Sequence, residues 1–279
     1  MILIQEDLTW EEFKKFSTYI YDKTGIHMKE AKNAMLSNRL RKRLKALNIS
    51  SYSDYYDYLH QLKGYEFESE LSIFFDIVST HETSFFRHEH NFTALMEVCL
   101  PSIAADKKIP SLRIWSAACS TGEEPYTIAI CLLERISLFK NWHIQILATD
   151  ISESVLQTAR AGIYPQGRRI EKVPQYLLDK YFIEKGNMYE VKSNVKSLVS
   201  FARLNFFADV FPKDLDIIFC RNVMIYFDKE HQKRLVKELS KSINHPGFLF
   251  VGYAETLNSI SDKFVYKKIA DSPVYVPVT

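Results

Sequence analysis

Four short runs that are apolar almost throughout constrain this chain more than any other feature. They are LRIWSAA from Leu112, HIQILATD from His143, LDIIFCRNV from Leu215 and GFLFVGYAE from Gly247. A strand with one wet face alternates apolar and polar residues, whereas a strand apolar along its length must be covered on both sides. Helical texture separates the runs, over residues 123–138, in ESVLQTARAG and over residues 229–243. Strands alternating with helices predict an α/β fold, a Rossmann-like, mostly parallel sheet with helices on both faces. The last segments, FVYKKI and PVYVPV, read as an antiparallel pair closing the sheet edge.

The first quarter has a different texture. Thr9 with Glu12 forms a capping-box pattern, Trp10, Phe13, Phe16 and Ile20 recur at helical spacing, and Gly25 stops the helix. A second helix is expected over residues 30–47, with Leu36, Leu40, Leu44 and Leu47 as its apolar stripe. A third opens at Ser51 or Ser53 and closes at Gly64, and a fourth covers 66–77. These signals predict an all-α domain at 1–78, a linker at 79–111 and a sheet domain at 112–279. Pro165, Gly167, Pro174 and Gly186 interrupt the sheet domain. An inserted β-subdomain is therefore expected at about 162–202, with a short helix at 175–181 and strands at MYEV and SLVSF.

Several function classes lose support. The amino-terminal residues MILIQEDLTWEEF lack a basic and an apolar signal region, and no apolar stretch reaches the ~20 residues that span a bilayer, so a cytoplasmic location without membrane insertion is expected. The four cysteines are scattered without metal-ligand spacing, and no metal is expected. A net charge of +2 does not call for nucleic acid, and no NPPY-type segment for a flipped base is present.

In a doubly wound sheet, ligands bind outside the carboxyl ends of the strands. The first run exits through Ala117 and Ala118 into CSTGEEP. A pyrophosphate wants bare amides at the following helix, so Glu123 and Glu124 argue against a dinucleotide. They either complement the helix dipole or, at Glu124, meet a cationic group. The second run ends at Asp150, which either caps the next helix or holds ribose hydroxyls. The third exits through Arg221 and Asn222, with Tyr226 in the same loop. At the domain junction, STHETSFFRHEH carries Thr80, Thr83 and Arg87 around the Phe85-Phe86 pair.

The segments THETSFFR, RIWSAACSTGEEPYTIA, ATDIS, ARLNFF and DIIFCRNVMIYFD, in this order and spacing, resemble the CheR family of chemotaxis receptor glutamate methyltransferases. The resemblance spans essentially the whole chain. It implies a class I methyltransferase sheet that binds S-adenosylmethionine and releases S-adenosylhomocysteine. On the matching positions, Thr83 and Arg87 would contact the methionine end of the cofactor and Ala118 would lie against it. Glu124 would take the ammonium and Asp150 the ribose. Asn205 and Phe206 would flank the adenine, and Arg221 with Asn222 would line the pocket near the reacting centre. Arg87 and Tyr226 would act on the substrate side. His81 stands where the family usually has asparagine; a neutral imidazole still offers one hydrogen bond.

The implied partner is the helical coiled coil of a methyl-accepting receptor, met by a monomer. Residues 30–47 and their approach carry Lys29, Lys32, Arg39, Arg41, Lys42, Arg43 and Lys45. Such a run is either a solvated face or a complement to an acidic partner, and docking is expected at Arg39, Arg41, Lys42, Arg43 and Lys45. In some relatives the β-subdomain grips a receptor's C-terminal peptide. The connection EKGNMYEVK is short here, which points to a form that does not need that tether. The alternatives are a cofactor-sensing binding module and a methyltransferase for another acidic protein.

Overall fold

A computed structural model describes residues 7–278. Its helical domain comprises α1 (Trp10–Thr24), α2 (Asn33–Leu47), α3 (Tyr52–Gln61) and α4 (Gly64–Val78). The capping box of Thr9 and Glu12 is formed, and Gly25 ends α1 at φ 71°. A 3-10 turn occupies Glu30–Lys32, so α2 starts later than its pattern suggests. Ser51 caps α3 by accepting from the Asp54 N–H. Gly64 is the first residue of α4, not the stop of α3. Phe16, Leu36, Leu40, Leu44, Tyr55 and Phe74 form a dry core. Within it Glu70 accepts a two-pronged contact from Arg43 and a 2.8 Å hydrogen bond from Tyr55 Oη.

Residues 79–88 lead into α5 (Glu89–Ala94) and, across a π-helical turn at Leu95–Cys99, into α6 (Leu100–Asp106). The sheet domain then runs β1 (Ser111–Ala117), α7 (Glu123–Glu134), β2 (His143–Asp150) and α8 (Glu153–Ala161). The insertion holds β3 (Ile163–Pro165), α9 (Gln175–Tyr181), β4 (Phe182–Lys185), β5 (Met188–Val191) and α10 (Ser193–Lys196). The chain finishes with β6 (Val199–Arg203), β7 (Leu215–Cys220), α11 (Lys229–Ser240), β8 (Ile243–Val251), β9 (Phe264–Ile269) and β10 (Ser272–Pro277).

The large sheet has the order β6-β2-β1-β7-β8-β10-β9. Its first five strands are parallel, and β10 and β9 add antiparallel at one edge as expected. Successive residues of each central strand enter opposite cores. Ile114, Ile217 and Phe250 pack on one face; Trp115, Ile218 and Leu249 pack on the other, beneath α11. The Trp115 indole donates 2.9 Å to Thr149 Oγ1, so its buried N–H is satisfied within the sheet. One expectation is corrected. SLVSF belongs to β6, parallel to β2 in the large sheet, and the small sheet is β3-β5-β4. A five-residue run of this kind carries no signal for which of two sheets it joins.

The helical domain is clamped onto the sheet domain. His27 N–H donates to Tyr226 O at 2.8 Å, Asn205 Nδ2 to Lys23 O at 2.7 Å and Tyr21 Oη to Asp228 Oδ2 at 2.6 Å. Gly25 sits so close to Phe207 that a Cβ there would lie 2.3 Å from the ring. Asp228 also caps α11 through the His231 N–H. That N–H and then the Tyr21 hydroxyl hold its carboxyl down to about 2. A depressed folded value stabilises the fold above the unfolded carboxylate range and loses that contribution as pH falls through it. Asp228→Asn keeps the cap and removes the charge. It is expected to be about 1 kcal/mol less stable than the parent at pH 7, with the gap closing between pH ~4 and ~2, as read by urea unfolding across that range.

Candidate active site

The order β2-β1-β7 makes β1 the point where the chain leaves in two directions, and a cavity opens outside the carboxyl ends there. The turn after β1 is tightly wound: Ala118 and Ser120 have φ 64° and 51°, and Gly122 has φ 94°. At Gly122 a Cβ would meet Ala159 Cβ at 2.8 Å, so only glycine lets α7 start this close to α8. An amide of this turn and one of the turn after β2 meet on a single carboxylate. Ser120 N–H donates to Asp150 Oδ2 at 2.9 Å and Ser152 N–H to Oδ1 at 3.0 Å. Burial raises the Asp150 carboxyl from its ordinary value, and the two amides oppose that rise. Ser152, not Asp150, caps α8. Asp150 thus ties the β1 and β2 exits together and still faces the cavity.

The two glutamates at the start of α7 diverge. Glu123 is fully buried on a side away from the cavity, paired with Arg169 Nη1 at 2.7 Å and with Thr121 Oγ1. Glu124 turns into the cavity. Its Oε1 accepts from Ser116 Oγ at 2.7 Å and its Oε2 from Arg221 Nη1 at 2.9 Å. The Arg221 guanidinium is almost fully enclosed, and its Nη2 donates to Arg87 O. Burial lowers its pKa from the ordinary value and Glu124 opposes that. Next to Arg221, Asn222 holds φ 57°. The buried Glu255 carboxylate secures this loop, accepting from Gly252 N–H at 2.6 Å, Asn222 N–H at 2.9 Å and Ile225 N–H at 3.3 Å.

All ten residues expected at the cofactor line this cavity: His81, Thr83, Arg87, Ala118, Glu124, Asp150, Asn205, Phe206, Arg221 and Asn222. Tyr226 lines it too, with Lys32 Nζ 5.3 Å above its ring. His81 O accepts from Ser120 Oγ at 3.1 Å, and its buried Nε2 has no protein partner. Arg87 donates to Glu82 O at 2.8 Å. Asn205 also acts as a tie, since its Oδ1 accepts from Phe207 N–H. Thr24, Ile26 and Met28 of the helical domain complete the wall. Thr24, Ile26, Met28 and the supporting Glu255 escaped sequence reading because each comes from a distant element with no local motif, and Ser116 because a serine inside an apolar strand carries no sign of the Glu124 it donates to.

The basic helix is not uniformly free. Arg39 Nη1 donates to Ile77 O at 3.0 Å and Ser79 O at 2.7 Å, holding the end of α4. Arg43 is spent on Glu70, and Arg41 contacts Asp7 at 3.1 Å. Lys42 and Lys45 are exposed. Among the described residues no group of His, Cys, Asp and Glu could hold a metal ion, all four cysteines are buried thiols, and no helix is long and apolar enough to cross a membrane.

Two carboxylates at adjacent strand ends, an alanine at the floor and an unpartnered buried imidazole nitrogen suit a nucleoside that carries an ammonium group. Comparison with known proteins agrees. Residues 81–272 match the CheR methyltransferase SAM-binding domain and residues 11–79 the CheR all-alpha domain. A chemotaxis protein methyltransferase of Borreliella burgdorferi is 36% identical over 90% of this chain and 90% of its own length. Chemotaxis protein methyltransferase 2 of Pseudomonas aeruginosa is 36% identical over 88% and 87%, and the Escherichia coli protein 34% over 91% and 87%. Removing Arg221 would strand Glu124 in a largely desolvated position. Arg221→Met is therefore expected to cost about 3 kcal/mol of stability, and Glu124→Gln in the same chain to recover part of it, as measured by chemical denaturation.

Proposed function

The chain belongs to the CheR family of chemotaxis methyltransferases and uses S-adenosylmethionine, and from that premise we propose that it esterifies glutamate side chains of chemotaxis receptors in the cytoplasm. One observation carries the reading. Glu124 and Asp150 share a single cavity with Arg87 and Tyr226, below a domain with exposed lysines.

When bound, the cofactor supplies a methyl group on a sulfonium centre, and S-adenosylhomocysteine is what remains after transfer. Glu124 would hold the ammonium and Asp150 the ribose hydroxyls. Thr83 and Arg87 would serve the methionine end, with Ala118 lying against it, and His81 would offer the cofactor one hydrogen bond. Asn205 and Phe206 would flank the adenine, and Arg221 with Asn222 would frame the reacting centre.

The acceptor needs no base. A glutamate with an ordinary pKa of about 4.3 is ionised at neutral pH. The residues' work is then positioning and exclusion of water, and positioning alone supplies ~7–11 kcal/mol in favourable cases. Arg87 and Tyr226 would orient the acceptor carboxylate. A grip too tight on the charged ground state would slow transfer, because the carboxylate's charge fades on the way to the ester. A sensing module would have no use for these two side chains beside the cofactor's methionine end.

Receptor docking is assigned to the exposed part of α2. Since Arg39 and Arg43 hold the helical domain together, reversing their charge would test folding and docking at once. Lys42 and Lys45 are the clean probes.

Three outcomes follow. With labelled cofactor and receptor-containing membranes, base-labile methyl esters should form. Arg87→Ala should slow single turnover by about 100-fold and Tyr226→Phe by no more than about tenfold; equal losses would remove the ranking. Lys42→Glu with Lys45→Glu should weaken receptor methylation, most clearly at low salt, while S-adenosylhomocysteine affinity stays unchanged in calorimetry. Undiminished methylation would move the docking surface elsewhere.

A further inference from the structure

His88 lies behind the cavity wall, outside the residues that line the cavity. It is held at φ 61°, a left-handed conformation, where it precedes α5. Its Nδ1 is 3.1 Å from Arg221 Nη2. A guanidinium has only donors, so the imidazole nitrogen must accept, and its proton must sit on Nε2. The ring rests edge-on against Tyr253 with centroids 4.6 Å apart. On the other side the same guanidinium donates to Glu124, and the ring of Phe92 lies 5.6 Å from its centre. His88, Arg221 and Glu124 therefore form one line of hydrogen bonds that ends at the carboxylate facing the cavity, which Ser116 holds from its other oxygen.

We infer that His88 is a positioning residue for the ammonium end of the cofactor, acting through Arg221 on Glu124. This rests on the reading of Glu124 as the ammonium acceptor. The physical need is clear. Arg221 is an enclosed cation whose Nη2, apart from His88, answers only to the Arg87 carbonyl, so one of its two protons would lack a protein acceptor. A second acceptor on Nη2 adds a third hold on the guanidinium and so steadies Nη1 on Glu124. The acceptor must be neutral, because a protonated ring would put two cations in contact. Burial, then Arg221, Arg87 and Lys172, hold the imidazole down to about 4, so it stays neutral at physiological pH.

The test uses two ligands. S-adenosylhomocysteine carries the ammonium, and 5′-methylthioadenosine keeps the adenosine and thioether without the amino acid. His88→Leu removes the acceptor at similar bulk. His88→Gly removes it without strain at this φ. His88→Asn restores an acceptor two bonds from Cβ and tolerates the left-handed backbone. Calorimetry should show both acceptor-free variants binding S-adenosylhomocysteine about tenfold more weakly, with 5′-methylthioadenosine affinity changed by less than about twofold. His88→Asn should return most of the lost affinity. Equal weakening of both ligands, or no rescue by asparagine, would mean that His88 merely packs against Tyr253 and would overturn the inference. Glu124→Gln is measured alongside. If it leaves S-adenosylhomocysteine affinity intact, the Glu124 assignment itself fails; if it weakens binding while the His88 variants do not, only the role of His88 fails.

Discussion

The contact between Arg221 and Glu124 is the interaction around which the rest of the site is arranged. Both side chains are nearly removed from solvent, at 2% and 13% exposure. Desolvating two such charges costs several kcal/mol each, which their attraction offsets only with good geometry and further hydrogen bonds. Here those bonds come from Ser116 on β1, the Arg87 carbonyl on the junction segment and the His88 ring. The pair thereby joins the exit of β7, the start of α7 and the linker from the helical domain at one place. A cavity wall built this way cannot relax locally, because each partner belongs to a different element.

Asp150 performs the same service on the other side of β1. Its oxygens take amides from the turns after β1 and β2, so the left-handed residues Ala118 and Ser120 are held open by a buried carboxylate. The strained turn is what places Ala118 against the cavity. The helical domain then closes the third side through backbone contacts of Ile26, His27 and Lys23. The cavity and the domain junction are consequently one structure, and Asn205, Tyr226 and Phe227 belong to both.

Much of this was legible in the sequence, and the reasons for success and failure are physical. Fully apolar runs announce doubly covered strands, so β1, β2 and β7 were placed correctly, whereas β8 starts at Ile243, inside the stretch expected to end the preceding helix. Caps are local, so Thr9, Gly25 and Ser51 were readable. Position at a strand end is also local, so Glu124, Asp150 and Arg221 could be brought together before any coordinates. Long-range pairing is not local. Nothing in SLVSF tells β6 from a strand of the insertion, and nothing in Glu255 says that it caps a loop more than thirty residues earlier.

The basic face of α2 shows the limit most sharply. Charge patterning counts cations but does not reveal what they touch, and a helix in a small domain must use some of its long side chains to satisfy its neighbours. Arg39 takes the last carbonyls of α4, where a helix leaves acceptors without partners, and Arg43 neutralises Glu70 in the domain core. Arginine suits these duties because its guanidinium carries enough donors to meet two acceptors at once, from Nη1 alone at Arg39 and from Nε and Nη2 at Arg43. Lysine, a flexible point charge, is left at the surface at Lys42 and Lys45. The division by chemistry separates residues that build the helix's setting from those available to an acidic partner, which a count of positive charges merges.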